Sequence, residues 1–120
     1  MNILLIPNND WINHPVPAQR HYKIFEKLGR THNVHVIHFD IFKRNEKPTH
    51  TPKFTRLIKP FTIHVSDPAK FYMVNLGFQG KKILSAIREL GIDIVFGSNL
   101  AVCTLGFEAA KRCGAKSIFD

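Results

Sequence analysis

The loop that follows the first apolar run carries the side chains best suited to binding a ligand. It holds amide, carboxylate, indole and imidazole groups, and a guanidinium follows in the first turn of a predicted helix: Asn9, Asp10, Trp11, His14 and Arg20. Backbone N–H groups at a helix N-terminus attract anions, and an arginine adds a bidentate contact. We therefore predict that this loop binds a ligand with an anionic group. The alternative is a structural loop, in which Trp11 packs as an anchor and the asparagines make turn hydrogen bonds.

Three further candidates come at the ends of later apolar runs. Ser98 and Asn99 follow residues 92–96, and Asp120 ends residues 116–120. Both runs have strand character, so all three side chains are predicted at the carboxyl ends of strands, where they line a site together with the first loop. Asp93 begins its predicted strand, at the opposite end, and we interpret it as structural.

A basic segment lies between residues 43 and 59. It contains six basic residues and one acid, Glu46, in a chain whose net charge is +8; the basic residues are Lys43, Arg44, Lys47, Lys53, Arg56 and Lys59. Such a segment favours contact with phosphates, anionic lipid or nucleic acid. We predict an anion or membrane surface here, and the alternative is a solvated connection.

Several catalytic and metal-binding patterns are missing from the sequence. The first loop contains no glycine, which excludes the dinucleotide fingerprint and the P-loop, and there is no nucleophile elbow, serine triad or pair of carboxylates. His32 and His38 would point to one face of a strand and His35 to the other, so we predict no metal. Cys103 and Cys113 would lie about 15 Å apart on one helix, too far for a disulfide, and are predicted core thiols.

Apolar periodicity predicts strands and helices that alternate around these residues. Strands are predicted at 2–7, 33–39, 92–96 and 116–120, with two extended pieces at 54–58 and 61–65 on either side of Pro60. Helices are predicted from Pro17 to Leu28, from 67 to 90, and from a cap at residue 98 or 99 to the residue before Gly114. Gly77 and Gly80 fall inside the second helix, where they either allow close packing or divide it in two.

This alternation predicts an α/β fold: an open doubly wound, Rossmann-like, mostly parallel sheet with strand order 3-2-1-4-5 and helices on both faces. Ligands of such sheets bind outside the carboxyl ends of the strands, at the switch between the first and fourth strands. Residues 8–20 and 97–99 are the loops predicted there.

The length of 120 residues suits a single domain, 1–120. No apolar run approaches the ~20 residues of a membrane span, and the N-terminus lacks the features of a signal peptide, which predicts a cytoplasmic protein. A strand at the C-terminus would leave a sheet edge uncovered, so we predict the first part of a longer protein.

Two stretches carry a resemblance to a known family. Residues 1–38, with their loop and Arg20, resemble the first strand, loop, arginine-bearing helix and second strand of the N-terminal domain of group 1 (family 4-like) GT-B fold glycosyltransferases. Residues 91–120 are similar to the fourth strand, helix and fifth strand of that domain, and residues 66–75 fit the preceding helix. In the first loop, the family's glycine pair is replaced by His14-Pro-Val-Pro-Ala-Gln-Arg20.

The resemblance implies a hexosyltransferase that moves a sugar from a nucleotide-diphosphate donor. This chain would be the acceptor-side domain, with the first loop, Arg20, Ser98, Asn99 and Asp120 positioning a sugar or lipid-linked acceptor at one wall of the cleft. The donor-binding glutamates belong to a missing C-terminal domain, so the fragment alone would bind no cofactor and be inactive. An anionic surface at the inner membrane face would contact the basic segment.

Two other classes remain open from the residues alone. A flavodoxin- or receiver-like binding module needs an acidic cluster after the first strand, where only Asp10 is present. A basic nucleic-acid-binding domain would interleave its cations with aromatic residues, as Phe54 and Phe61 do here, but no known module pattern accompanies them.

We expect this chain to bind nucleic acid only weakly and without sequence preference, because its basic segment lacks a base-reading module. A gel shift across a salt series measures this. Tight, sequence-selective retention that falls steeply with salt would instead favour the nucleic-acid-binding class.

Overall fold

The computed structural model describes residues 1–6, 19–41, 58–65, 76–97 and 100–120. These ranges contain β1 (Asn2–Ile6), α1 (Gln19–Leu28), β2 (Asn33–Ile41), β3 (Ile58–Val65), α2 (Leu76–Glu89), β4 (Ile94–Gly97), α3 (Leu100–Cys113) and β5 (Lys116–Phe119). The strands form one sheet in the order β3-β2-β1-β4-β5, and every neighbouring pair is parallel. The predicted fold class and strand order are confirmed.

The central strand, β1, is buried on both faces of the sheet. Ile3 and Leu5 belong to the apolar cluster that contains Phe25 of α1. Leu4 and Ile6 belong to a second cluster, which contains residues of α2 and α3 together with residues of the other strands. Because successive strand residues point to opposite faces, α1 covers one face and α2 and α3 cover the other. This double burial explains the uninterrupted apolar run at residues 3–6.

The prediction that Pro60 separates two extended pieces is wrong. β3 runs without interruption through Pro60, whose register partner on β2 is Val36. A proline cannot donate a ladder hydrogen bond, but β3 is the outermost of the described strands, and no described strand lies on one of its sides. The first extended piece is described only at Ile58, because 54–57 lie outside the described residues.

Glycines end α2 and α3 as the sequence predicts. Gly91 and Gly114 have φ values of 57° and 72°, in the left-handed region that favours glycine. After α2, the N–H of Ile92 donates to the carbonyl of Ile87, and after α3 the N–H of Ala115 donates to the carbonyl of Ala110. These Schellman-type ends turn the chain into β4 and β5 at the amino edge of the sheet.

A polar network holds the amino edge together. The backbone N–H of Asn2 donates to Oδ2 of Asp93 at 2.7 Å, and the Asn2 side chain donates to the carbonyls of Leu90 and Gly91 at 3.2 and 2.9 Å. Asn33 donates its side-chain amide to Oδ1 of Asn2 at 2.9 Å. These bonds join the start of β1 to β2 and to the α2–β4 turn, and Asp93 has the structural role predicted for it.

Helix α3 packs closely on the carboxyl end of the sheet, where Gly97 of β4 faces Cys103 of α3 and Gly106 of α3 faces Ile6 of β1. A Cβ on Gly97 of β4 would overlap Sγ of Cys103, and a Cβ on Gly106 of α3 would overlap Cδ1 of Ile6. Cys103 is 1% exposed and belongs to the core, as predicted, whereas Cys113 is half-buried. At position 97, where both Sγ and Cβ of Cys103 would be overlapped, glycine is therefore required by this close approach and not by its backbone conformation.

Helix α2 is continuous from Leu76 to Glu89, so Gly77 and Gly80 do not divide it there. The earlier part of the predicted helix, 67–75, lies outside the described residues. None of the helices in the described ranges is long and apolar enough to cross a membrane.

We expect Gly97→Ala to lower the free energy of unfolding by about 1–3 kcal/mol, because the added methyl overpacks the α3 contact. Gly80→Ala is the matched control. A Cβ there would lie 3.5 Å from Cδ2 of Leu105, an ordinary contact, so the better helix propensity of alanine should raise stability by about 0.5–1 kcal/mol. Urea unfolding of both variants measures the difference, and equal effects would contradict this account of the packing.

Candidate functional site

The carboxyl ends of β1, β4 and β5 meet at one edge of the sheet. Ile6, Gly97 and Phe119 form a single row across these strands, and Asp120 is the next residue after the row. The backbone N–H of Asp120 donates to the carbonyl of Gly97 at 3.1 Å, which extends the β4–β5 pairing by one residue. This edge includes the switch point between β1 and β4, where open α/β sheets bind their ligands.

An imidazole and a carboxylate meet at this edge. Nε2 of His21, in the first turn of α1, lies 2.8 Å from Oδ2 of Asp120. The side chains are 17% and 40% exposed respectively, so the pair is partly shielded but accessible to solvent. His21 lies on a helix, and Asp120 directly follows β5, with its backbone held by the bond to Gly97.

Aromatic rings support the imidazole from the sheet side. The ring of His21 meets the ring of Phe96 edge-on at a centroid distance of 5.7 Å, and Phe96 meets Phe25 in the same manner at 5.0 Å. Such edge contacts each stabilise their geometry by about 0.5–1.5 kcal/mol beyond the area that they bury. His21 is therefore held by packing as well as by Asp120.

The His21–Asp120 pair can form hydrogen bonds with a ligand. A carboxylate accepts hydrogen bonds and a neutral imidazole donates one and accepts one, so the two together can bind hydroxyl groups. The carboxylate beside Nε2 also fixes the orientation of the imidazole ring. The edge therefore carries hydrogen-bonding groups of two kinds side by side.

Of the predicted site residues, the structure places Asp120 at the carboxyl edge. Arg20 lies in the first turn of α1, as predicted, but its side chain is outside the described part. The remaining predicted site residues all lie outside the described ranges: Asn9, Asp10, Trp11, His14, Ser98 and Asn99. Their assignment to the site stays a prediction.

The basic segment is described only at its last member. Lys59 is exposed near the amino end of β3, directly opposite His35 on β2. Because β3 and β5 are the two outer strands of the sheet, Lys59 and Asp120 do not belong to one site. Lys43, Arg44, Lys47, Lys53 and Arg56 lie outside the described residues.

Sequence reasoning missed His21, although a signal for it exists. His21, Phe25 and Leu28 follow the spacing i, i+4, i+7, which places them on one helical face. Phe25 and Leu28 pack into the α1-side cluster, so a histidine at the start of this stripe faces the sheet at its carboxyl edge. A titratable residue within an apolar stripe, next to the ligand end of a parallel sheet, is the pattern that identifies it.

Among the residues that the structure describes, no group of three His, Cys, Asp or Glu side chains could hold a metal ion. His35 and His38 stand an odd number of residues apart on β2, which directs them to opposite faces of the sheet. His38 is buried, at 4% exposed. His35 is half-buried.

The neutral form of His35 is favoured in the folded protein. Burial lowers the pKa of His35 below its ordinary value, and the positive charge of Lys59 on the neighbouring strand lowers it further. Above a pH of about 6.5 the imidazole is neutral in both the folded and the unfolded chain, and the shift has no effect on stability. Below that pH the unfolded chain takes up the proton first, so stability falls until the pH reaches the lowered pKa.

We expect His35→Gln to reduce the loss of stability on acidification below pH about 6.5, because glutamine has no proton to bind in the unfolded chain. Urea unfolding of the variant and the parent at neutral and mildly acidic pH measures the loss. Lys59→Gln removes the smaller of the two causes of the lowered pKa of His35, so it should reduce the loss of stability less than His35→Gln does. If His35→Gln loses as much stability as the parent over this interval, the lowered pKa of His35 is not responsible.

Comparisons with known proteins identify the fold. No protein-family model and no curated protein matches the chain. Two solved structures of the C-terminal domain of a hydrogenase from Pyrococcus furiosus are similar to it. One, of residues 78–226, has a TM-score of 0.63 and 18% identity over 99% of this chain and 89% of the other. The second, of residues 83–215, has a TM-score of 0.61 and 16% identity over 99% and 90%. At these identities the shared property is the fold, a mostly parallel Rossmann-like α/β sheet.

Proposed function

We propose that the chain is the N-terminal, acceptor-side domain of a nucleotide-sugar-dependent glycosyltransferase of the GT-B type. The observation that carries this proposal is the His21–Asp120 pair at the carboxyl edge, beside the switch between β1 and β4. A partly exposed donor–acceptor pair over an aromatic support suits a ligand that combines hydroxyl groups with apolar faces, as sugars do. The strand order, with α1 on one face, fits the same assignment.

The negative charge at this edge supports a protein in which the acceptor and the donor bind to different domains. The partly exposed group described at this edge is the carboxylate of Asp120, and a carboxylate does not itself stabilise the phosphates of a nucleotide-diphosphate donor. Negative charge that develops on the leaving group needs cations or backbone amides, which a second, donor-binding domain would supply. This domain would position the acceptor, with the first loop, Arg20, Ser98 and Asn99 completing its wall.

Apolar exposure at β5 fits a domain that packs against further polypeptide. Ile118 and Phe119 point to opposite faces of the sheet and are 47% and 55% exposed. Because β5 is an outer strand of the described sheet, these exposed apolar side chains suit contact with the second domain.

The location that fits this function is the cytoplasmic side of a membrane. The basic segment from Lys43 to Lys59 would rest on anionic lipid beside a lipid-linked acceptor, and each cation near such a surface contributes about 1 kcal/mol.

We expect a protein in which this domain is joined to a donor-binding domain to transfer sugar from a nucleotide-diphosphate donor, and residues 1–120 alone to transfer none. The assay would supply UDP-glucose, UDP-N-acetylglucosamine and GDP-mannose in turn, with methyl glycosides as acceptors and product detection by mass spectrometry. Donor-dependent transfer by 1–120 alone would contradict the split site. No transfer from any donor by the two-domain protein would contradict the proposed function.

A further inference from the structure

We propose that the outer face of α1 docks on an anionic lipid surface. This face consists of Lys23, Ile24 and Lys27 of the helix and of Arg30 in the turn that follows it. The inference rests on the membrane location proposed above, but it does not depend on the transfer reaction. It adds a folded surface of the domain to the basic segment as a contact with lipid.

The two sides of α1 differ in polarity. Phe25 belongs to the cluster between the helix and the sheet, and Leu28 packs against it. Lys23 and Lys27 stand one turn apart on the other side, and both are exposed. Arg30 is exposed as well, and its backbone N–H donates to the carbonyl of Lys27 at 3.2 Å, so its turn continues from the helix. The outer side of α1 is therefore cationic along the helix.

These three cations are not neutralised within the part of the chain that the structure describes. Lys23, Lys27 and Arg30 form no ion pair with another described residue. Glu26, the one acid in the helix, is half-buried. Like charges one turn apart, as in Lys23 and Lys27, repel each other and weaken a helix. An anionic surface against this face would remove that repulsion.

An exposed isoleucine lies among the cations. Ile24 is 45% exposed, whereas the other large apolar side chains that are exposed in the described ranges, Met1, Ile118 and Phe119, lie on or beside strands. A single exposed apolar residue needs no explanation by itself. Next to two lysines, however, it fits an interfacial helix, in which cations contact headgroups and apolar side chains enter the boundary with the acyl chains.

Helix α3 shows the pattern expected of a face that is exposed only to water. Its last turn also carries two exposed cations, Lys111 and Arg112. Glu108 is exposed four residues before Arg112, the order in which an acid and a base stabilise a helix. Exposed large apolar side chains are absent from the described part of α3. The outer face of α1 has the cations without the exposed acid, and it has the isoleucine in addition.

The chemistry of this face favours lipid over nucleic acid. Lysine stems and an isoleucine suit the boundary between headgroups and acyl chains. Proteins that bind single-stranded nucleic acid add aromatic side chains that stack on the bases, and the described residues of this face include none. The first turn of α1 lies beside Asp120 at the carboxyl edge, so lipid against α1 would lie next to the edge at which the acceptor is proposed to bind.

The test measures cosedimentation of the 120-residue protein with vesicles of equimolar phosphatidylcholine and phosphatidylglycerol, and with vesicles of phosphatidylcholine alone. We expect binding to the anionic vesicles that weakens as salt is added, and little binding to the neutral ones. The variant that combines Lys23→Gln, Lys27→Gln and Arg30→Gln should bind the anionic vesicles roughly 100-fold more weakly, because each cation near such a surface contributes about 5-fold. Ile24→Gln should lose several-fold.

The matched control combines Arg88→Gln, Lys111→Gln and Arg112→Gln. It removes the same charge from α2 and α3, on the opposite face of the sheet, and should retain most of the binding. Thermal unfolding checks that each variant is folded. NMR with a spin-labelled lipid in the vesicles locates the contact, and the amides of residues 23–30 should broaden more than those of residues 104–112.

The outcomes distinguish this inference from the proposed function. Equal losses in the two triple variants would show that net charge alone attracts the protein, and would overturn the inference. Broadening at residues 43–59 without broadening at 23–30 would also overturn it, while leaving the proposed membrane location standing. No binding to anionic vesicles would overturn both, but not the transfer reaction, which the donor assay tests separately. Stronger binding of a short DNA duplex than of the vesicles, lost with the α1 cations, would assign the face to nucleic acid and overturn the inference.

Discussion

The burial of β1 on both of its faces is the constraint on which the rest of this fold depends. Its side chains alternate between the α1 cluster and the α2–α3 cluster, and its neighbours are β2 and β4. A strand buried in this way requires helices on both sides of the sheet, and successive parallel strands require crossovers. The β1–β4 switch, and with it the ligand edge, follows from these two requirements.

The two ends of the sheet use polar groups differently. At the amino edge, the side chains of Asn2 and Asp93 bond mainly to backbone groups and hold the strands in place. At the carboxyl edge, His21 and Asp120 bond to each other, side chain to side chain, and both are partly exposed. Side chains that bond to backbone groups fix the positions of the strands. Two partly exposed side chains that bond to each other can instead form hydrogen bonds with a ligand.

Much of the fold was predictable because local signals and tertiary packing agree. The double-sided burial of β1 appears in the sequence as an unbroken apolar run, and the ends of α2 and α3 appear as Gly91 and Gly114. Pro60 misled the prediction because its effect depends on whether a strand is at the edge, which is a property of the whole sheet. The requirement for glycine at 97 was likewise invisible, since Cys103 and Phe107 create it from another element.

Sequence alone determined the order of the elements, the class of the sheet and the choice of Asp120 as a candidate site residue, since periodicity and strand ends are local properties of the chain. Only the tertiary structure decided that Asp120 meets His21. The two are 99 residues apart, and no local pattern encodes a distance across that separation. Their contact exists because α1 packs over the face of the sheet that carries Phe96, and because β5 lies beside β4, so that its end comes next to the beginning of α1.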